Sequence, residues 1–279
     1  MGTYITYSDV VRTCGISTNL MTSTDMELTI NDVEKYTERW LNCKFAPTVE
    51  VDILDGKGTS VIILGHNPLL SVRSLTSDGD TILPTEIFWY KDSGKIEISS
   101  VSSTAIFSSV QQSNIIKYIH GFVEYSSTGT TSTVATIAGT SIAISVSSTS
   151  GFTTGDWVEI YGTDGFREAA QITVGTGILT ADQLVLTHAS GSFIKKLEMP
   201  KAIKRFLELE ASISCLMKII GSTYSFKSNY SLGELGITKT GPFQHYSATL
   251  QNIILERNRL IGELDKQGII KPRPYIVSS

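Results

Sequence analysis

Apolar residues recur at helical spacing up to about residue 43, alternate with polar ones from residue 49, and regain helical spacing only after residue 199. In the first region Met26, Ile30, Val33, Thr37, Trp40 and Leu41 form one face, with Asp32, Glu34, Lys35, Glu38 and Arg39 mostly opposite. That spacing predicts an amphipathic helix over 24–43. Thr24 and Glu27 have capping-box spacing, in which each end satisfies a free backbone donor of the other. A shorter helix is expected upstream, capped by Ser8 and Asp9, carried by Val10, Val11 and Cys14, and stopped by Gly15. Pro47 closes the region.

The alternating region predicts an antiparallel β-meander. Val49–Leu54 and Ser60–Leu64 flank Asp55-Gly56, a dipeptide suited to the positive φ of a tight hairpin turn. Strands are also expected at 70–76, 87–90 and 95–99, with Asp78-Gly79 and Asp92–Gly94 as turns, and Ile115–Phe122 closes the set. Residues 127–140 are rich in Ser, Thr and Gly, have little to bury, and are expected to be a linker or edge excursion. Further strands are predicted at 141–146, 156–161, 168–174 and 184–186, and Phe193–Leu197 leads out. This density of short strands predicts a small barrel or sandwich.

Pro200 sits at the start of the next helix, where its missing N–H costs nothing. Its apolar stripe is Ile203, Phe206, Leu207, Ile213, Leu216, Met217 and Ile220, ended by Gly221. A last helix is expected over 244–265, with Tyr246, Leu250, Ile253, Ile254, Leu260, Ile261 and Leu264 buried. Two prolines, Pro272 and Pro274, make the tail extended, and its apolar residues need a surface to lie on. The fold class expected is α+β: a helical core of N-terminal helices plus a C-terminal helical hairpin, an antiparallel β-meander, and an inserted β-barrel or sandwich module. The corresponding domains are 1–126 with 199–265, the insert 127–198, and an extended arm 266–279.

Composition removes several classes of function. The net charge is −4 across 279 residues, which argues against a protein held to nucleic acid by bulk positive charge. No apolar run approaches the ~20 residues of a membrane span, and the first residues lack a signal peptide's basic and apolar regions. Cys14, Cys43 and Cys215 are odd in number and widely spaced, as expected of reduced, packed thiols. His66, His120, His188 and His245 share no metal-ligand spacing and are expected to be solvated or locally bonded. Asp78 and Asp80 lack the rest of a calcium loop, and Gly56–Thr59 lacks phosphate-loop spacing. No serine lies in a nucleophile-elbow motif. No catalytic, cofactor or metal residues are expected, and the chain is read as a non-enzyme. Lys201, Lys204 and Arg205 crowd a helix start, where the dipole disfavours cations, and read as a solvated or subunit-facing cluster.

The order of elements resembles the head–tail connector (adaptor) family of tailed bacteriophages and related viruses. The matching pieces are Tyr4–Asp9, the helix at 24–43, the sheet ending Tyr118-Ile-His-Gly-Phe122, Met199–Ile203, the Gly/Ser loop Ser231–Gly236 and the helix at 244–265. The likeness covers most of 1–122 and 199–279; the insert is a departure from the minimal family pattern. The resemblance implies a homo-oligomeric ring, a dodecamer in the usual case, that binds the portal protein at the capsid vertex. It would extend the channel for transient double-stranded DNA and offer a platform for a tail or tail-completion protein. It also implies a place in the virion neck, after assembly in the host cytoplasm, with no membrane partner and no cofactor. On this reading Lys201, Lys204, Arg205, Pro272, Pro274, Tyr275 and Ile276 are the interface candidates. Two rival readings are a tail-side or surface virion protein whose β-insert binds a glycan or another virion protein, and a cell-wall hydrolase. Exposed aromatics around Trp157 and Tyr161 would favour the first, whereas a packed Trp157 would favour a plain structural role.

Overall fold

The computed structural model describes residues 4–16, 18–100, 102, 106–162, 165–223, 229–232, 235–238 and 242–266. It is a mixed α+β protein with a β-rich body, in which the described residues form four α-helices, three antiparallel sheets and a short two-stranded ribbon at Asn229–Leu232 and Leu235–Thr238. The chain divides into two compact units, 1–42 with 201–279, and 43–200.

The first unit holds the helices α1 (Tyr7–Cys14), α2 (Ser23–Leu41), α3 (Lys201–Thr223) and α4 (Pro242–Lys266). Both N-terminal caps lie two residues earlier than expected. Thr6 and Asp9 form a reciprocal capping box on α1, and the Thr22 hydroxyl accepts from the Asp25 N–H on α2 at 3.1 Å. The same physical pattern operates with an aspartate in place of the longer acid. Gly15 ends α1 in the left-handed conformation, as its position predicts.

Helix α3 packs against the other three helices. Its buried face includes Ile203, Phe206, Leu207, Ile213 and Leu216, while Met217 is exposed. On α2, Glu34 lies on the buried side, contrary to the expected polar face. Its carboxylate accepts the backbone N–H groups of Tyr4 and Ile5 at 2.8 and 2.9 Å and so anchors the start of the chain.

The second unit begins with seven strands: β1 (Thr48–Leu54), β2 (Val61–Ile63), β3 (Leu69–Ser77), β4 (Asp80–Ile82), β5 (Ile87–Tyr90), β6 (Lys95–Ile98) and β7 (Asn114–His120). They do not form the expected meander. One sheet runs β1-β7-β3-β4 and the other β2-β6-β5, and they share a core that includes Leu69, Val72, Ile96, Phe107, Ile116 and Tyr118. The turn at Asp78-Gly79, with φ of 53° and 86°, and the one before Gly94 are hairpins as predicted.

Asp55-Gly56 is not a hairpin turn, because β1 pairs with β7 and β2 with β6. The Asp55 carboxylate instead accepts from the Gln112 N–H at 2.8 Å, and a Cβ at Gly56 would lie 1.2 Å from the Ser108 carbonyl oxygen. That glycine answers a close backbone approach rather than a turn.

Six more strands follow: β8 (Glu124–Thr131), β9 (Gly139–Ser145), β10 (Trp157–Tyr161), β11 (Arg167–Gly175), β12 (Ile178–Leu184) and β13 (Phe193–Glu198), in sheet order β8-β13-β10-β11-β12-β9. The stretch expected to be a linker, 127–140, therefore enters strands at both ends, β8 to Thr131 and β9 from Gly139. Ser127 and Thr133 are exposed, whereas Thr130, Ser132 and Thr136 are buried, and the backbone of 124–131 is held by β13. The two outermost strands also meet, through a bridge between Ser132 and Val146 and a 2.8 Å bond from the Thr133 N–H to the Ser145 carbonyl.

The strand expected at 184–186 lies earlier, as β12. Residues Val185 and Leu186 instead give their backbone N–H groups to the fully buried Glu168, which also meets His188 Nε2 at 2.7 Å.

The two β-parts are bound into one unit. Leu70 and Ile119 of the first part pack on Ala169 and Leu197 of the second, with Val123 and Trp157 at the edge. Beside this contact the Arg73 guanidinium, 1% exposed, bonds both carboxylate oxygens of Asp182, at 3.0 and 3.2 Å, and the Gln183 carbonyl. The compact division thus places the insert with the seven strands, at variance with the expected grouping of those strands with the helices.

Removing Asp182 leaves a buried guanidinium short of a partner. Asp182→Ala is expected to destabilise the protein by about 2–3 kcal/mol, and the Arg73→Leu/Asp182→Ala double variant by less than the two single losses together. Urea denaturation of the four proteins in a double-mutant cycle checks both statements.

Candidate functional site

The basic cluster expected at a subunit surface is largely engaged within the helical unit. Arg205 holds Glu256 of α4 in a two-pronged pair, Nε to Oε1 at 2.9 Å and Nη2 to Oε2 at 3.0 Å. It also reaches Thr13 at 3.2 Å and Glu208 at 3.1 Å. Lys204 stands 4.0 Å from Asp9, whose carboxyl, despite a burial effect in the other direction, is held below its usual range by hydrogen bonds from Thr6 and by Lys204 and Arg12. Lys201 is exposed at the helix start. Two of the three cations therefore lock α3 to α1 and α4. Pro272, Pro274, Tyr275 and Ile276 lie outside the described residues.

The helical unit also has a cleft of about 510 Å³ lined by Tyr36, Trp40, Phe206, Glu210, Lys218 and Arg257, among others. Trp40 and Phe206 stack at 6.1 Å, Arg257 meets Glu210 at 3.2 Å, and Lys218 bonds the Thr29 hydroxyl at 2.8 Å. Burial pushes the Glu210 carboxyl up and the Arg257 charge opposes that shift. Arg257 and Glu210 are thus paired with each other while Lys218 is held by a neutral hydroxyl, and among the described residues the contacts of this cleft show no nucleophile bonded to a base.

Sequence reasoning missed the most unusual surface. Strand β1 lies at a sheet edge and, among the described residues, pairs with β7 alone. Its solvent side carries Val49, Val51 and Ile53, continued by Ile115 of β7; Val51 is 50%, Ile53 57% and Ile115 44% exposed. Its inner side is the polar one. There Asp52 accepts from the Tyr118 hydroxyl and from the Gly65 N–H, each at 3.0 Å. Alternation was legible in the sequence, but the face that is solvated depends on Asp52 finding these partners at the rim of the core. An unpaired edge strand with apolar side chains outward is a surface that natural proteins normally cover.

Among the described side chains three histidines form two arrangements, and that of His245 lies outside them. His188 is bonded to Glu168, whereas His66 and His120 stack with ring centroids 4.7 Å apart. Among the described residues no group of three His, Cys, Asp or Glu side chains could hold a metal ion. Burial, with smaller effects from His66 and Lys44 that outweigh Asp52, pushes the His120 imidazole down to about 4. Trp157 packs against the contact between the two β-parts, which is the structural role weighed for it, whereas Tyr161 is partly open. The chain matches no protein-family model and no curated protein.

Two measurements test these assignments. Arg205→Ala should lower the stability of the helical unit by about 1 kcal/mol, since its pairs are partly screened by solvent; a fall in Tm without loss of helical circular dichroism checks this. Buried His120 binds its proton more weakly when folded than the ordinary histidine value near 6.5, so the unfolded state takes up more protons between pH 6.5 and 4. Stability should therefore fall by up to about 3 kcal/mol as pH drops through that window. Urea midpoints across it should show a shallower slope in His120→Leu.

Proposed function

We propose that this chain is a virion structural protein, a head–tail connector that assembles into a closed ring, binds the portal and forms the platform for tail attachment. The resemblance of 1–122 and 199–279 to that family supports this reading. The observation that carries it is the apolar outer side of β1, with Val49, Val51, Ile53 and Ile115 exposed on an unpaired sheet edge. A ring is built from a heterologous contact in which one patch of each copy meets a different patch of the next. An edge strand of this kind supplies one such patch, since both its backbone and its apolar side chains gain by being covered.

In this reading the helices form the core of the connector, with the seven strands appended. The six-stranded sheet is a closed small barrel, its outer strands joined at Ser132–Val146, carried as an addition between β7 and α3. The role is structural and not enzymatic. The net charge of −4 suits a channel through which double-stranded DNA passes without being held, because phosphate contacts would retain it. The protein's place is the neck of a virion, next to the portal and a tail or tail-completion protein, after assembly in the host cytoplasm.

Negative-stain electron microscopy and sedimentation of the purified protein test the proposal. Rings, and their loss in Val51→Lys/Ile53→Lys at unchanged circular dichroism, are the expected result. A strict monomer at all concentrations, also in the presence of portal protein, would overturn it.

A further inference from the structure

The outer side of the six-stranded sheet is split into two halves by its strand register. At one end Trp157, Ala169 and Leu197 are covered by Leu70 and Ile119. At the other end the outward positions of the same strands stay open and enclose a cleft of about 330 Å³, lined by Tyr125, Glu159, Tyr161, Arg167, Phe193 and Lys195. Phe193, Tyr161 and Arg167 are direct neighbours on β13, β10 and β11, while Lys195 and Glu159 form the next row. Strand spacing of about 4.8 Å therefore sets a three-residue shelf roughly 10 Å wide, the width of one or two sugar rings. The volume sits at the lower end for small-ligand sites, about 300 Å³ and upward.

The chemistry of the lining is selective. Phe193 is 51% and Tyr161 37% exposed, a directly opposed aromatic pair that stays open to solvent. Arg167 lies over the Tyr161 ring at 4.4 Å and Lys195 over the Tyr125 ring at 5.3 Å, so both cations are held at the cleft wall. Glu159, 7% exposed, is fixed by the Tyr125 hydroxyl, which also meets Arg167 at 3.4 Å; the Arg167 Nη1 lies 3.9 Å from Glu159. The cleft thus holds two cations against one carboxylate, an apolar ring face, and a buried acceptor whose orientation is set before any ligand arrives.

We propose that this cleft binds an acidic sugar residue of a glycan. The C–H face of the pyranose packs on Phe193, the sugar carboxylate pairs with Lys195 and Arg167, and ring hydroxyls donate to Glu159. With Glu159 beside Arg167, a neutral sugar leaves one net positive charge of the cleft without a counter-charge. A single nucleic-acid strand needs a run of cations along its backbone, whereas this cleft supplies two, Arg167 and Lys195. This site is independent of the connector reading, because it uses only residues of one copy.

Saturation-transfer NMR and calorimetry on the full chain test it, with methyl glucuronide and N-acetylneuraminic acid as probes and methyl glucoside, inorganic phosphate and a dT12 oligonucleotide as controls. Saturable binding of at least one acidic sugar is expected, at least fivefold tighter than methyl glucoside and phosphate. It should weaken at least fivefold in Phe193→Ala and, separately, in Lys195→Ala, both at exposed positions, with unchanged circular dichroism. No saturable binding of either acidic sugar, equal binding of the neutral sugar or phosphate, tighter binding of dT12, or full retention in both variants overturns the proposal.

Discussion

Strand Asn114–His120 is the element on which the β-rich unit depends. It lies between Thr48–Leu54 and Leu69–Ser77, two segments that precede it by some 40 to 70 residues, and it bonds antiparallel to both. One side chain row, Ile116 and Tyr118, enters the core shared with the three-stranded sheet. On the other side Ile119 meets Ala169 and Leu197 of the six-stranded sheet. A single strand therefore serves two cores with opposite faces, Ile116 and Tyr118 on one and Ile119 on the other, while Ile115 and Lys117 on that second face stay exposed. It also explains how the later β-segment joins the seven strands as one body.

Polar groups placed inside this unit fix its geometry where apolar packing alone would leave freedom. Arg73 is held by Asp182 and Gln183 across the contact between the two β-parts. Glu168 takes two backbone N–H groups and His188, which organises the chain after Leu184 together with the backbone bridge from His188 to Thr136. Asp52 does the same at the rim, for Gly65 and Tyr118. Each of these groups is costly to bury alone and satisfied only in one arrangement, so they favour a unique packing more than they add net stability.

The two open surfaces of the β-unit follow from the same constraints. Because Asp52 turns the polar side of β1 inward, Val49, Val51 and Ile53 are left outward on an unpaired edge. Because only half of the β10–β11–β13 face is covered by Leu70 and Ile119, the remaining half keeps its aromatics and charges in the open. One surface is apolar and offers backbone groups, as a partner protein requires. The other is small, concave and charged, as a small ligand requires.

Local chemistry determined a large share of the structure directly. Apolar spacing set the four helices to within a few residues, and the glycine at position 15 and the turns at Asp78-Gly79 and before Gly94 act as their φ angles require. Strand positions from 139 to 198 were also largely legible, since alternation is a property of neighbouring residues. Pairing was not. Asp55-Gly56 has the composition of a hairpin turn, yet its glycine serves a close approach to Ser108, a contact between segments some 50 residues apart. The Ser/Thr-rich stretch at 124–131 carries no strand signal of its own and becomes one because Phe193–Glu198 offers it a backbone partner. The inward Glu34, the engaged Arg205 and the outward face of β1 share this cause: each depends on which distant groups fold against it. Period and turn type are written in adjacent residues, whereas partner, face and exposure are decided only when the whole chain closes on its cores.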